Sequence, residues 1–288
     1  MKGNGTGTQL MDRMTWEEAA LAIKEEVPVL IPVGSIEQHG PHMPLGTDAY
    51  LPLALARRVG EQRRVVIAPP MFYGARPQPR SGGGGRVFPG TTGVSNGTLT
   101  AVVRDVADDL FRQGFQRVAV LNGHWENAPA IYEALEAAME PYLSTHKALL
   151  INWWELITND DLKAVFPSEF PGWEAEHAGI AETSLMEDLL PEMVDVERKV
   201  EGGGARLRRY DVIPLPPDAV PPTGVPWKST LASPKIGADV SRLLVERIVA
   251  ILDEEFVAAT DHDTSRSGRG RPSSQAPTEI RPGVASPR

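Results

Sequence analysis

Two short segments of this 288-residue chain carry carboxylates and imidazoles at the spacing of metal ligands. The first is Glu37-Gln38-His39-Gly40, followed by Asp48; the second is Asn122-Gly123-His124-Trp125-Glu126. Glu37 and His39 are two residues apart, as are His124 and Glu126, in opposite order. In an extended backbone such residues project to the same side, with Cα atoms roughly 6.5 Å apart. Each pair thus offers one carboxylate beside one imidazole. Brought face to face, the pairs would supply one His and one Glu to each of two neighbouring metals, with Asp48 as a bridge. Two ions ~3.5–4 Å apart that activate a shared water are the machinery of a binuclear hydrolase. Carboxylates crowded into one cleft repel each other and hold raised pKa values until a cation joins them. The chain has no cysteine, so the donors are nitrogen and oxygen, a set that suits Zn²⁺ or Mn²⁺. The competing reading of any single His after a strand is a hydrogen-bonded loop residue, and His42, His146 and His262 are assigned to that class.

These residues need elements to present them. The apolar run Val27–Val33 reads as a buried strand that empties into the first segment. A helix follows near Leu51–Val59, then a strand at Arg64–Ala68. Ahead of them, Thr15-Trp16-Glu17-Glu18 is a capping-box pattern that starts a helix running to about Glu26. Residues Phe72–Gly97 form a long Gly/Pro-rich loop centred on Ser81-Gly82-Gly83-Gly84-Gly85. That run lacks the Gly-Lys-Ser/Thr ending of a phosphate-binding loop, which excludes nucleotide binding there. Leu99, Val102, Val103, Val106, Leu110 and Phe111 share a helical face, and Gly114 stands at the C-terminal cap. Arg117–Leu121 is a short buried strand ending in the second segment, with a helix at Ile131–Met139 and a strand at Lys147–Trp153 beyond it. Ala178–Leu190 and Ala238–Phe256 read as helices, and Glu201–Pro234 as a Gly/Pro-rich surface wrap. The alternation predicts a single α/β domain at residues 14–257, with a mostly parallel sheet flanked by helices on both faces. Residues 1–13 read as a flexible N-terminus and 258–288 as a disordered tail.

Composition excludes several partners. A net charge of −9 argues against nucleic acid or an anionic membrane surface. No apolar run reaches the ~18 residues of a membrane span, and no signal segment is visible. A cytoplasmic enzyme acting on a small molecule is the expected class.

With the motifs Glu37-Gln38-His39-Gly40, Asp48 and Asn122-Gly123-His124 set out, the chain resembles the creatininase (creatinine amidohydrolase) family from about Thr15 to Phe256. The resemblance implies that Glu37 and His124 hold one metal, His39 and Glu126 the other, and that Asp48 bridges, with Glu126 also in the catalytic set. Gly172-Trp173-Glu174-Ala175-Glu176-His177-Ala178-Gly179 and Glu182-Thr183-Ser184 look like the segment carrying the catalytic His. On that match His177 is the proton shuttle, Trp173 and Trp154 are walls over the substrate ring, and Ser81, Trp125 and Glu176 contact substrate. Glu182 lies one helical turn beyond His177, where a Glu is commonly solvated, and no role is assigned to it. Trp125 stands where creatininase has Tyr, and Ala75–Arg80 carries two Pro and two Arg where creatininase is mostly polar. The implied activity is hydrolysis of a cyclic amide such as creatinine. A cyclic ketone, lactone or formamide is the alternative substrate, and a metal-holding binding protein the alternative class. The family also implies a homo-oligomer, a hexamer, for which Tyr210–Pro234 is the suggested contact region.

Overall fold

Strand β2 (Val29–Val33) is buried at every position, as a strand at the centre of a two-faced sheet must be. A computed structural model describes residues 9–78, 85–166, 170–203, 210, 212–216 and 218–256. Its five strands are β1 (Gln9–Leu10), β2, β3 (Val66–Ile67), β4 (Arg117–Asn122) and β5 (Lys147–Asn152), in the spatial order β1-β3-β2-β4-β5. All four pairings are parallel. The register aligns Val33 of β2 with Asn122 of β4, and Asn122 with Asn152 of β5, so three strands end level at one edge.

The described residues form seven α-helices: α1 (Trp16–Lys24), α2 (Thr47–Gln62), α3 (Asn96–Gln113), α4 (Ala128–Met139), α5 (Asn159–Val165), α6 (Ile180–Leu189) and α7 (Pro234–Phe256). Side chains alternate through the sheet. Val29, Ile31 and Val33 with Val118 and Val120 pack among Ala22, Val103, Phe111 and Ile131 from α1, α3 and α4. Leu30, Ala119 and Leu121 turn the other way, toward Leu51 and Leu55 of α2, Leu185 of α6 and Leu244 and Ile248 of α7. Thr15 caps α1 through the expected box with Glu18, and Gly114 ends α3 in the left-handed region, φ 106°.

Two expectations change. Residues 9–13, read as flexible, form β1 and a 3₁₀ turn (Met11–Arg13), because the outer edge of β3 offers unpaired backbone that Gln9 and Leu10 fill. Within Glu201–Pro234, read as a surface wrap, Val225 and Ser229 are fully buried. Ser81 and the tail 258–288 lie outside the described residues. No helix among the described residues is long and apolar enough to cross a membrane.

After β2 the chain moves through α2 to β3 on one side, then returns through α3 to β4 on the other. The carboxyl ends of β2 and β4 therefore flank a topological switch point, the place where open α/β sheets bind ligands.

Candidate active site

Both motif segments emerge at that switch point, and α2 is pressed against it. A Cβ on Gly34, the residue after β2, would lie 2.3 Å from the Asp48 carbonyl; a Cβ on Gly123, after β4, would lie 2.0 Å from the same oxygen. Only hydrogen at these two positions lets the first turn of α2 sit on the strand ends and carry Asp48 between them. Gly123→Ala is expected to displace Asp48, weaken metal binding and lower stability by roughly 1–3 kcal/mol, measured by metal titration and thermal unfolding.

Asp48 spans two groups of donors. Its Oδ2 is 3.0 Å from His124 Nδ1, which also faces Glu37 Oε2 at 3.3 Å. Its Oδ1 is 3.0 Å from His39 Nε2, which faces Glu182 Oε2 at 3.7 Å. Donor atoms of Glu37, Asp48 and His124 lie within 4.8 Å of one another, as do those of His39, His177 and Glu182. All seven side chains around these points, Glu126 included, are buried.

Main-chain carbonyls set the tautomers. His39 Nδ1 donates to the Glu37 carbonyl (3.0 Å), and His124 Nε2 to that of Ala75 (3.1 Å). In each neutral ring the nitrogen turned toward Asp48 then carries a lone pair, as a metal ligand requires. A lone pair and a carboxylate oxygen 3.0 Å apart repel unless a proton or a cation lies between them. Glu37 Oε1, His39 Nε2 and Asp48 Oδ2 have no hydrogen-bond partner among the described residues. Without metal, protons must take the cation's place. Burial opposes charge on both rings, yet Asp48 and then Glu182 raise His39 well above its ordinary value, and Glu126, Asp48 and Glu37 push His124 up to about 10. Despite its burial Asp48 is held far below the usual carboxylate range, chiefly by His39 and then by His124. Burial raises Glu37, with His124 opposing. The donor set fits divalent cations.

His39, expected to share a metal with Glu126, has Asp48, Glu182 and His177 as its described neighbours. The i, i+2 spacing assumes an extended backbone, whereas after β4 Trp125–Asn127 form a 3₁₀ turn of three residues per turn. The turn carries Glu126 to the outer nitrogen of His124, its Oε2 3.2 Å from Nε2, while its Oε1 accepts from the Gln78 N–H (2.8 Å). The second carboxylate beside His39, after Asp48, is that of Glu182. A Glu at this place is commonly solvated; Glu182 is 8 % exposed, and its Oε2 accepts the Ala178 N–H. The signal was present in the sequence: Glu182 is the one charged residue in Ala178–Met186, a stretch otherwise of small and apolar residues and Thr and Ser, where a buried Glu needs a partner.

A cavity of about 660 Å³ opens above the donors. Glu37, Asp48, His124, Glu126 and Glu182 line its floor, and Trp125, Trp153, Trp154 and Trp173 its sides. Trp125, half exposed at the rim, stacks on the buried Trp154, centroids 5.4 Å apart and planes 19° from parallel. Trp154 reaches this position because β5 ends one residue earlier than expected, and the 3₁₀ turn Trp153–Leu156 swings its side chain round. Trp153, 2 % exposed, is core as well as wall and meets Trp173 edge-on. Glu176 and His177 also border the cavity. Burial and then Glu182 push Glu176 up to about 8; burial and then His39 lower His177, so its ring is neutral at pH 7. His42, buried behind the site, bonds Thr183 Oγ1 through Nε2 at 2.9 Å.

Residues 12–252 match the family model described as creatininase: creatinine amidohydrolase. The chain is 34% identical over 249 residues to the creatinine amidohydrolase of Pseudomonas putida, covering 84% of this chain and 95% of that one. It belongs to the creatininase family. The crystal structure of creatinine amidohydrolase (creatininase) superposes with a TM-score of 0.82 at 34% identity, over 87% of this chain and 98% of the other. Matched creatininase structures include one described as the Mn form and one described as Zn-Zn type, both at TM-score 0.82. The family is broad in chemistry. A 3-dehydro-scyllo-inosose hydrolase of Thermotoga maritima is 28% identical over 85% of this chain and 84% of its own length. A mycofactocin precursor peptide peptidase of Mycolicibacterium smegmatis is 34% identical over 62% of this chain and 64% of its own. The chain is thus a creatininase-family hydrolase.

Proposed function

We propose that this creatininase-family protein is a binuclear metal-dependent amidohydrolase that opens a cyclic amide, with creatinine the first candidate. The observation that carries the reading is Asp48, whose two oxygens each face an imidazole of a separate donor group, at 3.0 Å in both cases. Glu37, Asp48 and His124 would hold one ion, and His39, Asp48 and Glu182 the other, with Glu126 against His124 ready to complete the first set. Bound Zn²⁺ or Mn²⁺ would polarise an amide carbonyl and lower the pKa of a nearby water. The protein supplies the rest. His177, neutral and buried at the cavity edge, would accept a proton and return it to the departing ring nitrogen. The indoles would hold a flat ring by stacking and keep bulk water out.

The cavity favours this substrate class. Its described lining includes Glu155, Glu174 and Glu176 beyond the metal donors, and no Lys or Arg. A neutral or cationic ring rich in N–H groups fits such a surface, whereas a phosphate is repelled. Arg76 does not line the described cavity, and Arg80 lies outside the described residues. A volume of about 660 Å³ exceeds what a small ring needs, which supports a second reading, a larger amide or a cyclic ketone. Metal-loaded protein offered creatinine, hydantoin-like rings, cyclic sugar ketones and short peptides decides: turnover of ketones or peptides but no cyclic amide overturns the first reading. Replacing Glu182 by Gln is expected to reduce bound metal from two equivalents to about one after dialysis, read by elemental analysis. The proposal extends to a homo-oligomer, hexameric by family resemblance, in the cytoplasm, with no nucleic-acid or membrane partner.

A further inference from the structure

Gln38 stands between two residues of the metal cradle, and its side chain is buried. Its amide nitrogen lies 2.9 Å from His177 Nε2, and its own main-chain oxygen lies 2.8 Å from the same nitrogen. The amide also donates to the Gly224 carbonyl (2.8 Å), and its Oε1 accepts the Gly40 N–H (2.9 Å). His177 Nε2 therefore meets an acceptor when it carries the proton and a donor when it does not. The ring keeps one orientation in either tautomer, and Nδ1 is the nitrogen Gln38 does not engage.

The seat of Gln38 is closely shaped. Gly224 has φ +74°, and a Cβ there would lie 1.9 Å from Gln38 Oε1. Gly40 has φ +66°, and a Cβ there would lie 2.5 Å from Cγ2 of the fully buried Val225. A side chain at either glycine would push the amide off its partners. The 221–225 segment is thus tied to the acid–base histidine through a single glutamine.

We propose that Gln38 is a positioning residue for proton transfer, its amide and carbonyl together fixing the His177 imidazole by Nε2 and leaving Nδ1 to exchange the proton. The inference rests on the acid–base role given to His177 above.

The test uses the zinc-loaded full chain with Gln38→Met, which keeps length but loses the amide, and Gln38→Glu, which keeps an acceptor for Gly40 and Nε2. Three readouts are taken: kcat and KM on the amide turned over, metal content, and ¹⁵N spectra of labelled His, with the His177 signals assigned by their loss in His177→Ala. Gln38→Met is expected to lower kcat about 10–100-fold, the usual cost of an outer partner, with KM within about twofold, metal content intact and the His177 ring signals shifted. Gln38→Glu is expected to hold the Nε2–H tautomer in the spectrum and recover part of kcat. Unchanged His177 signals in Gln38→Met overturn the proposal, as does a fall in kcat that tracks lost metal. Should the wild type open no cyclic amide, the functional reading fails on its own, and the spectra still decide the role of Gln38.

Discussion

Asp48→Asn is expected to abolish turnover and to leave the protein unable to retain either metal equivalent after dialysis. Among the described residues this carboxylate meets both imidazoles, at 3.0 Å each. An amide there offers a single oxygen and no charge, and it turns two N–H donors toward rings that need to give lone pairs. Loss of Lewis-acid stabilisation worth several kcal/mol corresponds to about 10³-fold or more in kcat/KM. Variants of one group, such as Glu182→Gln, should lose about one equivalent and Asp48→Asn both; equal retention in the two variants contradicts a shared bridge. Protons compete for the same place. With His39 raised and His124 pushed up to about 10 in the metal-free cluster, binding must displace protons from both rings. Metal affinity should therefore fall steadily as pH drops through neutrality, and a chelator should strip the protein faster at pH 6 than at pH 8. A pH-independent stripping rate contradicts this account.

His177→Ala is expected to lower kcat roughly 10²–10⁴-fold, the usual worth of general acid–base catalysis, while both metal equivalents and the fold persist. The ring is buried, neutral at pH 7, and held by Gln38, so its removal takes away a proton carrier rather than a member of the Asp48 bridge. Its nitrogen also lies within reach of His39 and Glu182, and that proximity makes metal content the deciding control. Full turnover in the variant removes His177 from the mechanism. Lost turnover together with one lost equivalent makes it a ligand instead.

Much of the fold could be read from pattern alone, because each signal was local. The box at Thr15 and Glu18, the apolar face ending at Gly114 and the buried runs of β2 and β4 depend on neighbours within a few residues. Edge elements were harder. β1 is two residues long, and only pairing with β3 makes it a strand. Likewise nothing local announces that Val225, deep in a Gly/Pro-rich stretch, packs against the Glu37–Gly40 turn.

For the site, residue types and spacing named Glu37, His39, Asp48, His124 and Glu126, the family resemblance added His177, and the two strand ends told where the five would gather. They did so because a strand that runs out at the sheet's carboxyl edge delivers its next side chains to the switch point whatever the rest of the chain does. Which carboxylate faces which imidazole was a tertiary decision. A 3₁₀ turn placed Glu126 on the outer side of His124, and the buried first turns of α6 brought Glu182 to His39 from more than 140 positions along the chain. Spacing counts residues along a backbone, whereas a metal centre counts ångströms across a fold. The two agree only while the backbone stays extended, which it ceases to do after His124.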